Sequence, residues 1–213
     1  RHSFPTRRSS DLLVVGAGGL GCPALQYLAA AGVGEIGIVD FDLVSVTNLQ
    51  RQVLYTTDDI GKDKAATAAK KISALNPEIR VKVFNEKIQN SNAWDIISAY
   101  DIVLDGSDNF ATRYLLNDAC VLLDKPLVYG AVLKFEGQAG VFNVADKKTG
   151  VRVNYRDLFP VPPKDAQSCN DVGVLGVLPG LIGTLQATEV IKLITGIGKP
   201  LLNQIITYNA LNN

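Results

Sequence analysis

The chain has 213 residues, of which 47% are hydrophobic, and its 21 basic and 21 acidic side chains leave no net charge. This length suits a single α/β domain with a core of its own. The neutral balance argues against nucleic acid or an anionic membrane as the main partner, because both attract proteins through an excess of positive charge.

Residues 1–11, RHSFPTRRSSD, are basic and serine-rich and follow neither a helical nor a strand period. We expect this segment to be a non-native or disordered lead. The domain proper is then predicted to span residues 12–213 as one unit, with native sequence missing at both ends.

Strand and helix patterns alternate from residue 12 onwards. Short apolar runs predict the strands, and helical spacing together with stop signals predicts the helices. Strands are predicted over 12–15, 36–40, 81–84, 101–105, 127–131, 137–144 and 204–208, and helices over 20–31, 64–75, 94–99, 111–123 and 181–194. This alternation predicts the α/β class, with a Rossmann-like, doubly wound, mostly parallel sheet and antiparallel strands in the C-terminal half.

Two uncharged stretches, 12–34 and 172–188, are apolar enough to suggest membrane spans. A span needs roughly 20 predominantly apolar residues in one continuous helix. Glycines interrupt the first stretch, and glycines together with Pro179 interrupt the second. We therefore expect both to be buried parts of a soluble fold, without a membrane partner.

The run GAGGLG joins the first strand to the first helix, with Gly16, Gly18 and Gly21 at the spacing of a nucleotide-binding turn. Such glycines let the backbone approach phosphate groups, and the following helix N-terminus offers unpaired N–H groups. The second strand ends in Asp40, nineteen positions after Gly21, where a carboxylate can accept from ribose hydroxyls. The alternative, a tight strand–helix turn without a ligand, does not explain the spacing of Asp40.

The sequence DGSDN follows a third predicted strand, so three strand ends carry polar groups at the edge where doubly wound sheets bind ligands. Asp105 could accept backbone N–H groups at the next helix start or contact a ligand directly. Asp108 could hold a metal ion or cap the helix that follows it. Arg113 and Lys134 are expected at the surface.

The segments GAGGLG, DFDLVSVTNLQRQ, GKDKA and LDGSDN together resemble the ThiF/MoeB/HesA family, which is related to the ubiquitin-activating enzymes. The similarity covers essentially residues 12–208 and is greatest to the molybdopterin-synthase type. It implies an ATP-dependent adenylyltransferase that activates a ubiquitin-like sulfur carrier at its C-terminal Gly-Gly, for molybdopterin, thiamine or another sulfur transfer. It also implies a homodimer.

The resemblance assigns contacts with ATP and Mg²⁺ to particular residues of this sequence. These are Gly19, Asn48, Arg51 and Lys64 at the phosphates, Asp40 at the ribose, Asp108 at Mg²⁺ and Asn109 beside the nucleotide. Arg51, Lys64 and Asp108 would then promote the reaction by positioning and charge neutralisation. Without the resemblance, Arg51 could be a solvated loop residue and Lys64 a surface charge.

The three cysteines are too few for a disulfide framework, which favours the cytoplasm. Cys22 and Cys120 are expected to be buried packing residues, whereas Cys169 is where the resemblance implies a conjugating cysteine. The two C-x-x-C pairs that many relatives use for zinc are absent, so we expect no zinc. Tyr155 and Phe159 are then expected to hold the crossover loop over 145–170 by packing.

Two other functions stay open at this point. The glycine turn alone would also suit an NAD-dependent oxidoreductase, although no substrate domain or acid/base residue for one is visible. The family's N-terminal arginine segment has no counterpart in residues 1–11, so the chain could also be a nucleotide-binding scaffold with impaired catalysis.

Overall fold

The computed structural model describes residues 10–163 and 173–212, which form one seven-stranded sheet with helices on both faces. The strands are β1 (Asp11–Val15), β2 (Glu35–Val39), β3 (Arg80–Phe84), β4 (Ile102–Asp105), β5 (Leu127–Leu133), β6 (Glu136–Phe142) and β7 (Ile205–Asn209). The helices are α1 (Gly21–Ala31), α2 (Lys64–Leu75), α3 (Ala93–Ser98), α4 (Phe110–Leu122), α5 (Tyr155–Leu158) and α6 (Val177–Thr195).

The strand order is β3-β2-β1-β4-β5-β6-β7. The first five strands of this order are parallel, and β6 and β7 are antiparallel to their neighbours. The predicted fold class is therefore confirmed. The chain reverses its direction of winding between β1 and β4, where Val15 lies opposite Asp105. A crevice opens at such a switch point, beyond the carboxyl ends of the strands.

The predicted elements differ from the structure mainly at their ends. The last helix begins at Val177 rather than at 181, because Pro179 lies in its first turn, where a missing N–H removes no helical hydrogen bond. The short helix α5 lies in a segment predicted to be irregular, and it carries a capping box between Asn154 and Asp157.

Helix α6 is long and apolar enough to cross a membrane by length and composition. In the structure it packs against α1, β5 and β6, and half of its most apolar 18-residue stretch is buried. The buried Gln186 donates from Nε2 to the backbone carbonyls of Asp105 and Val128, at 2.7 and 3.2 Å. These contacts are those of a core helix, as predicted from the sequence.

An aromatic cluster holds the start of the crossover segment against the other face of the sheet. The ring of Tyr155, which is buried, lies within 4.9–5.9 Å of the rings of Tyr114, Tyr129, Phe142 and Phe159. Packing of this kind anchors a loop through apolar contact and edge-to-face ring geometry. The predicted packing role of Tyr155 and Phe159 is confirmed for the described part of the loop, up to residue 163.

Candidate functional site

A cleft of about 640 Å³ lies beyond the carboxyl ends of β1, β2, β4 and β5. Its wall includes the glycine turn and the segments that follow β2 and β4. Residues from 159–163 and Val174 border its other end. The cleft is large enough for a nucleotide, since sites for small ligands usually have about 300–1,000 Å³.

The glycine turn is fixed by close backbone contacts. Gly16 has a φ of +95°, and a Cβ atom on it would lie 2.5 Å from the carbonyl oxygen of Gly106. A Cβ atom on Gly21 would lie 1.9 Å from the carbonyl oxygen of Gly16. These two glycines are therefore required by the turn itself, whatever the turn binds.

Gly18 and Gly19 differ from Gly16 and Gly21 because no backbone atom would block a Cβ atom at either position. A Cβ atom on Gly18 would meet only the Gln52 amide, at 3.5 Å, which is ordinary contact. One on Gly19 would lie 2.9 Å from the Pro179 side chain. Both glycines line the cleft, and at Gly18 the turn itself leaves room for a Cβ atom.

Asp40 joins the glycine turn to the end of β2. Its Oδ2 accepts the backbone N–H of Ala17 at 2.8 Å, and its Oδ1 accepts the backbone N–H of Asp42 at 2.9 Å. Burial raises the pKa of Asp40, although these two hydrogen bonds and the Lys64 charge oppose the rise. The carboxylate lines the cleft, and each oxygen keeps acceptor capacity for a further hydroxyl donor.

Lys64 is the first residue of α2, and its side chain is only 6% exposed. Its Nζ donates to Oδ2 of Asp42 at 2.8 Å, and both residues line the cleft. The structure therefore places Lys64 in the predicted site and excludes the alternative of a solvated surface charge.

Arg51 also lines the cleft, whereas Asn48 does not lie among the described residues of its wall. The carbonyl oxygen of Asn48 accepts the N–H groups of Arg51 and Gln52, which fixes the turn that presents them. Gln52 is a residue that the sequence analysis missed. It is 4% exposed, and its buried Oε1 has no partner among the described residues.

Asp105 and Arg113 form a buried ion pair at the end of β4. The Nε of Arg113 donates to Oδ2 of Asp105 at 3.1 Å, and Oδ1 accepts from the Ser107 backbone N–H and hydroxyl at 2.9 and 2.5 Å. Burial alone would lower the pKa of Arg113, but the Asp105 charge outweighs it and raises that pKa. The prediction that Arg113 is a surface residue was wrong, because the buried Asp105 carboxylate needs a cation beside it. The same prediction for Lys134 is confirmed, since Lys134 is exposed.

Asp108 and Asn109 have separate roles in the structure. The side chain of Asn109 accepts the Thr112 N–H at 2.9 Å and is the N-cap of α4. Asp108 is exposed, lines the cleft and makes no hydrogen bond or ion pair within 10–163 and 173–212. The capping alternative for Asp108 is therefore excluded, which leaves its carboxylate available to a ligand.

The two described cysteines, Cys22 and Cys120, are buried and unpaired, as predicted. Burial raises the pKa of the Cys22 thiol to about 12, so this thiol is not a nucleophile near neutral pH. Cys169 lies outside the residues that the structure describes. Within the described ranges, no group of three or more His, Cys, Asp or Glu side chains could hold a metal ion on its own.

A family model described as the ThiF family matches residues 6–213. The chain belongs to the ThiF family. It is 51% identical to the sulfur carrier protein adenylyltransferase of Thermus thermophilus, over 96% of this chain and 76% of that protein. It is 53% identical to the probable adenylyltransferase/sulfurtransferase MoeZ of Mycobacterium tuberculosis, over 96% of this chain and 52% of that protein.

Solved structures show the same fold. E. coli MccB, crystallised with MccA-N7isoASN, is 25% identical and has a TM-score of 0.82, over 96% of this chain and 62% of that chain. E. coli MccB with ATP is 23% identical and has a TM-score of 0.75, over 96% of this chain and 64% of that chain, and it supports the fold alone.

The ThiF-family prediction is thus confirmed. The chain spans only about half the length of several curated relatives it matches, including MoeZ and a probable molybdopterin-synthase adenylyltransferase of Porphyra purpurea. These relatives are named as adenylyltransferases, which supports the adenylyltransferase prediction over the NAD-dependent oxidoreductase.

Proposed function

We propose that this ThiF-family chain uses ATP to activate the C-terminal Gly-Gly carboxylate of a ubiquitin-like sulfur-carrier protein as an acyl adenylate. One observation carries the proposal: a single cleft combines a glycine turn, a buried lysine at a helix N-terminus and the exposed carboxylate of Asp108, which has no partner among the described residues. The names of the Thermus relative and of the SAMP-activating enzyme E1 of Haloferax volcanii, which is 48% identical, support the substrate class.

The cleft would orient ATP along its length. The ribose hydroxyls would donate to Asp40, and the phosphates would lie along the glycine turn at Gly16, Gly18 and Gly21 and beside Gly19. Arg51 and Lys64 would neutralise their charge, with Asn48 supporting the turn that carries Arg51. A planar guanidinium and a compact ammonium are the cations that proteins use for phosphate groups.

Asp108 would hold Mg²⁺, and Asn109 would lie beside the nucleotide. The fit is good, because Mg²⁺ usually takes one or two carboxylates together with substrate phosphates and waters. Asp108 supplies one exposed carboxylate on the cleft wall. When bound, the ion would neutralise charge on the phosphates. We expect no zinc in this chain.

In the proposed reaction, a carboxylate oxygen of the carrier's last glycine attacks the α-phosphorus of ATP. A bond between this oxygen and phosphorus forms as the bond from the α-phosphorus to the bridging oxygen breaks, and pyrophosphate leaves with that electron pair. Arg51 and Lys64 stabilise the charge that moves onto the leaving phosphates. Loss of a cation of this kind costs roughly 10³–10⁵ in the rate of phosphoryl transfer.

The finer assignments are proposals as well. The chain would act as a homodimer in the cytoplasm, with Cys169 as a candidate for covalent conjugation to the activated carrier. The two described cysteines are unpaired, which agrees with a reducing compartment.

ATP–pyrophosphate exchange with Mg²⁺ tests the function, with and without a carrier that ends in Gly-Gly. We expect carrier-dependent exchange, a large loss in Arg51→Ala and Lys64→Ala, and normal exchange in Lys70→Ala, which changes an exposed lysine of α2 outside the cleft wall. Tight ATP binding without exchange would instead indicate a nucleotide-binding scaffold. Near-normal exchange by either cleft variant would remove that residue from the mechanism.

A further inference from the structure

The ammonium of Lys64 lies near a helix N-terminus, is hydrogen-bonded to the carboxylate of Asp42 and also interacts with the charge of Asp40. Lys64 is the first residue of α2, and the first turn of this helix contains no acidic residue. The only hydrogen bond or ion pair described for its Nζ is the one to Oδ2 of Asp42, at 2.8 Å. The two residues also share a backbone hydrogen bond, from the Lys64 N–H to the Asp42 carbonyl at 2.9 Å.

A cation in this position requires an anion. A helix N-terminus carries a partial positive charge, which disfavours a neighbouring ammonium and favours a carboxylate or phosphate. The side chain of Lys64 is also 6% exposed, so water solvates it poorly, and an unpaired buried charge is costly. Asp40 contributes negative charge from a distance, and Asp42 supplies the direct hydrogen-bonded partner of this ammonium when no nucleotide is bound.

Apart from its contact with Lys64, Asp42 is held by hydrogen bonds of its backbone. Its N–H donates to Asp40 and its carbonyl accepts from Lys64, whereas its carboxylate is 51% exposed and contacts only the ammonium of Lys64 among the described residues. An exposed carboxylate regains its hydration when it moves away from a cation, so its departure costs little. The backbone hydrogen bonds remain intact when the side chain changes its rotamer.

We propose that Asp42 is a resident counter-ion that competes with the phosphates of the nucleotide for Lys64, and thereby limits affinity and speeds the release of phosphate-bearing products. The inference rests on the proposed function, because it assumes that phosphates reach Lys64. Asp42 pairs with Lys64 when the cleft is empty, yields it to a phosphate on binding, and takes it back as the phosphate group leaves.

Binding measurements on Asp42→Asn test this competition without any need for turnover. We expect the variant to bind ATP and inorganic pyrophosphate about fivefold more tightly, a factor that corresponds to about 1 kcal/mol, the upper value for a partly exposed ion pair. Adenosine, which has no phosphate, should bind equally to both proteins. Release of pyrophosphate should slow by a similar factor.

Two further variants isolate the pair. In a Lys64→Met background, Asp42→Asn should no longer tighten pyrophosphate binding beyond twofold, since the contested cation is gone. Asp63→Asn removes a carboxylate next to Lys64 that lies outside the cleft wall and makes no helix-capping hydrogen bond. This control should change the affinity for ATP less than twofold.

Weaker or unchanged binding of ATP and pyrophosphate by Asp42→Asn would overturn the inference, as would an equal gain for adenosine or a gain that persists without Lys64. Absence of pyrophosphate binding by both proteins would overturn it too. Failure of the proposed function shows itself differently, as absent carrier-dependent exchange in a chain that still binds ATP, so the two failures can be distinguished.

Discussion

The guanidinium of Arg113 and the carboxylate of Asp105 form an ion pair of 3.1 Å beneath the cleft, with side chains that are 7% and 0% exposed. The Nη2 of Arg113 also donates to the carbonyl of Gly130 at 3.3 Å, so one side chain connects the end of β4 to the middle of β5. Because Asp105 also binds Ser107, the pair fixes the loop that presents Asp108 to the cleft.

Arg113→Met should destabilise the protein by about 3–5 kcal/mol, because it leaves the Asp105 carboxylate buried without a cation. Arg156→Met is the matched control, since its pair with Asp118 is 42% exposed on both sides. The control should cost about 1 kcal/mol or less. Urea unfolding at neutral pH measures both free energies, and equal losses would contradict the account.

Gly18→Ala separates ligand binding from turn geometry. We expect its free energy of unfolding to change little, because the added Cβ meets only the Gln52 amide at 3.5 Å. ATP affinity should fall at least about tenfold, which corresponds to about 1.4 kcal/mol. Isothermal calorimetry measures this affinity; unchanged ATP binding would show that phosphates do not approach the turn at this residue.

Gly21→Ala and Gly34→Ala are the comparison variants for Gly18→Ala, the first expected to disrupt the fold and the second to be tolerated. Gly21→Ala should destabilise the fold by about 3 kcal/mol or more, because its Cβ would lie 1.9 Å from the Gly16 carbonyl oxygen. Gly34→Ala should be well tolerated, since nothing lies within 4 Å of its Cβ position. Thermal unfolding of the two variants checks this order.

Asp108→Ala and Asn109→Ala should have different effects. Asn109→Ala should cost about 1 kcal/mol of stability, since it removes the N-cap of α4. Asp108→Ala should leave stability within about 0.5 kcal/mol and abolish most Mg²⁺-dependent exchange. A stability loss in Asp108→Ala as large as that in Asn109→Ala would mean that Asp108 supports the helix start after all.

The carboxyl group of Asp59 should make the free energy of unfolding depend on pH. Its hydrogen bond and ion pair with Lys71, at 2.5 Å, hold the pKa of this carboxyl below its usual value despite its burial. A lowered pKa in the folded state adds stability above the unfolded pKa of roughly 3.9, and this stability is lost as the pH falls through the folded value.

Asp59→Asn should therefore be less stable than the unaltered protein at pH 7, and the difference should shrink once the pH falls below about 4. Asp58→Asn, which changes an exposed neighbour in the same turn, should show little difference at either pH. Denaturant unfolding across the pH range gives both curves. A difference that stays constant with pH would rule out this carboxylate as its source.

The sequence predicts most of the fold because the local strand, turn and helix signals agree with the tertiary structure. Apolar runs and the GAGGLG turn determine β1, α1 and β2 to within one residue. Arg113 was missed because a charged residue on a helix is usually solvated, but a signal was present. It shares a helical face with Leu116 and Cys120, which are buried, and the strand that ends in Asp105 needs a cation.

Other parts of the site have no such signal. The contact between Asp42 and Lys64 joins residues that are 22 positions apart, and only the folded loop brings them together. The buried Gln52 likewise looks like any polar loop residue in the sequence. Tertiary packing, rather than local pattern, decides which polar side chains face the cleft.

Direct detection of a carrier adenylate tests the central claim most directly. The chain would be mixed with Mg-ATP, a Gly-Gly-terminated carrier and inorganic pyrophosphatase, and the carrier analysed by intact mass spectrometry. We predict that AMP becomes attached to the carrier's C-terminus, and that a carrier with an amidated C-terminus stays unmodified. Tight ATP binding with no adenylate on the carrier would contradict the account.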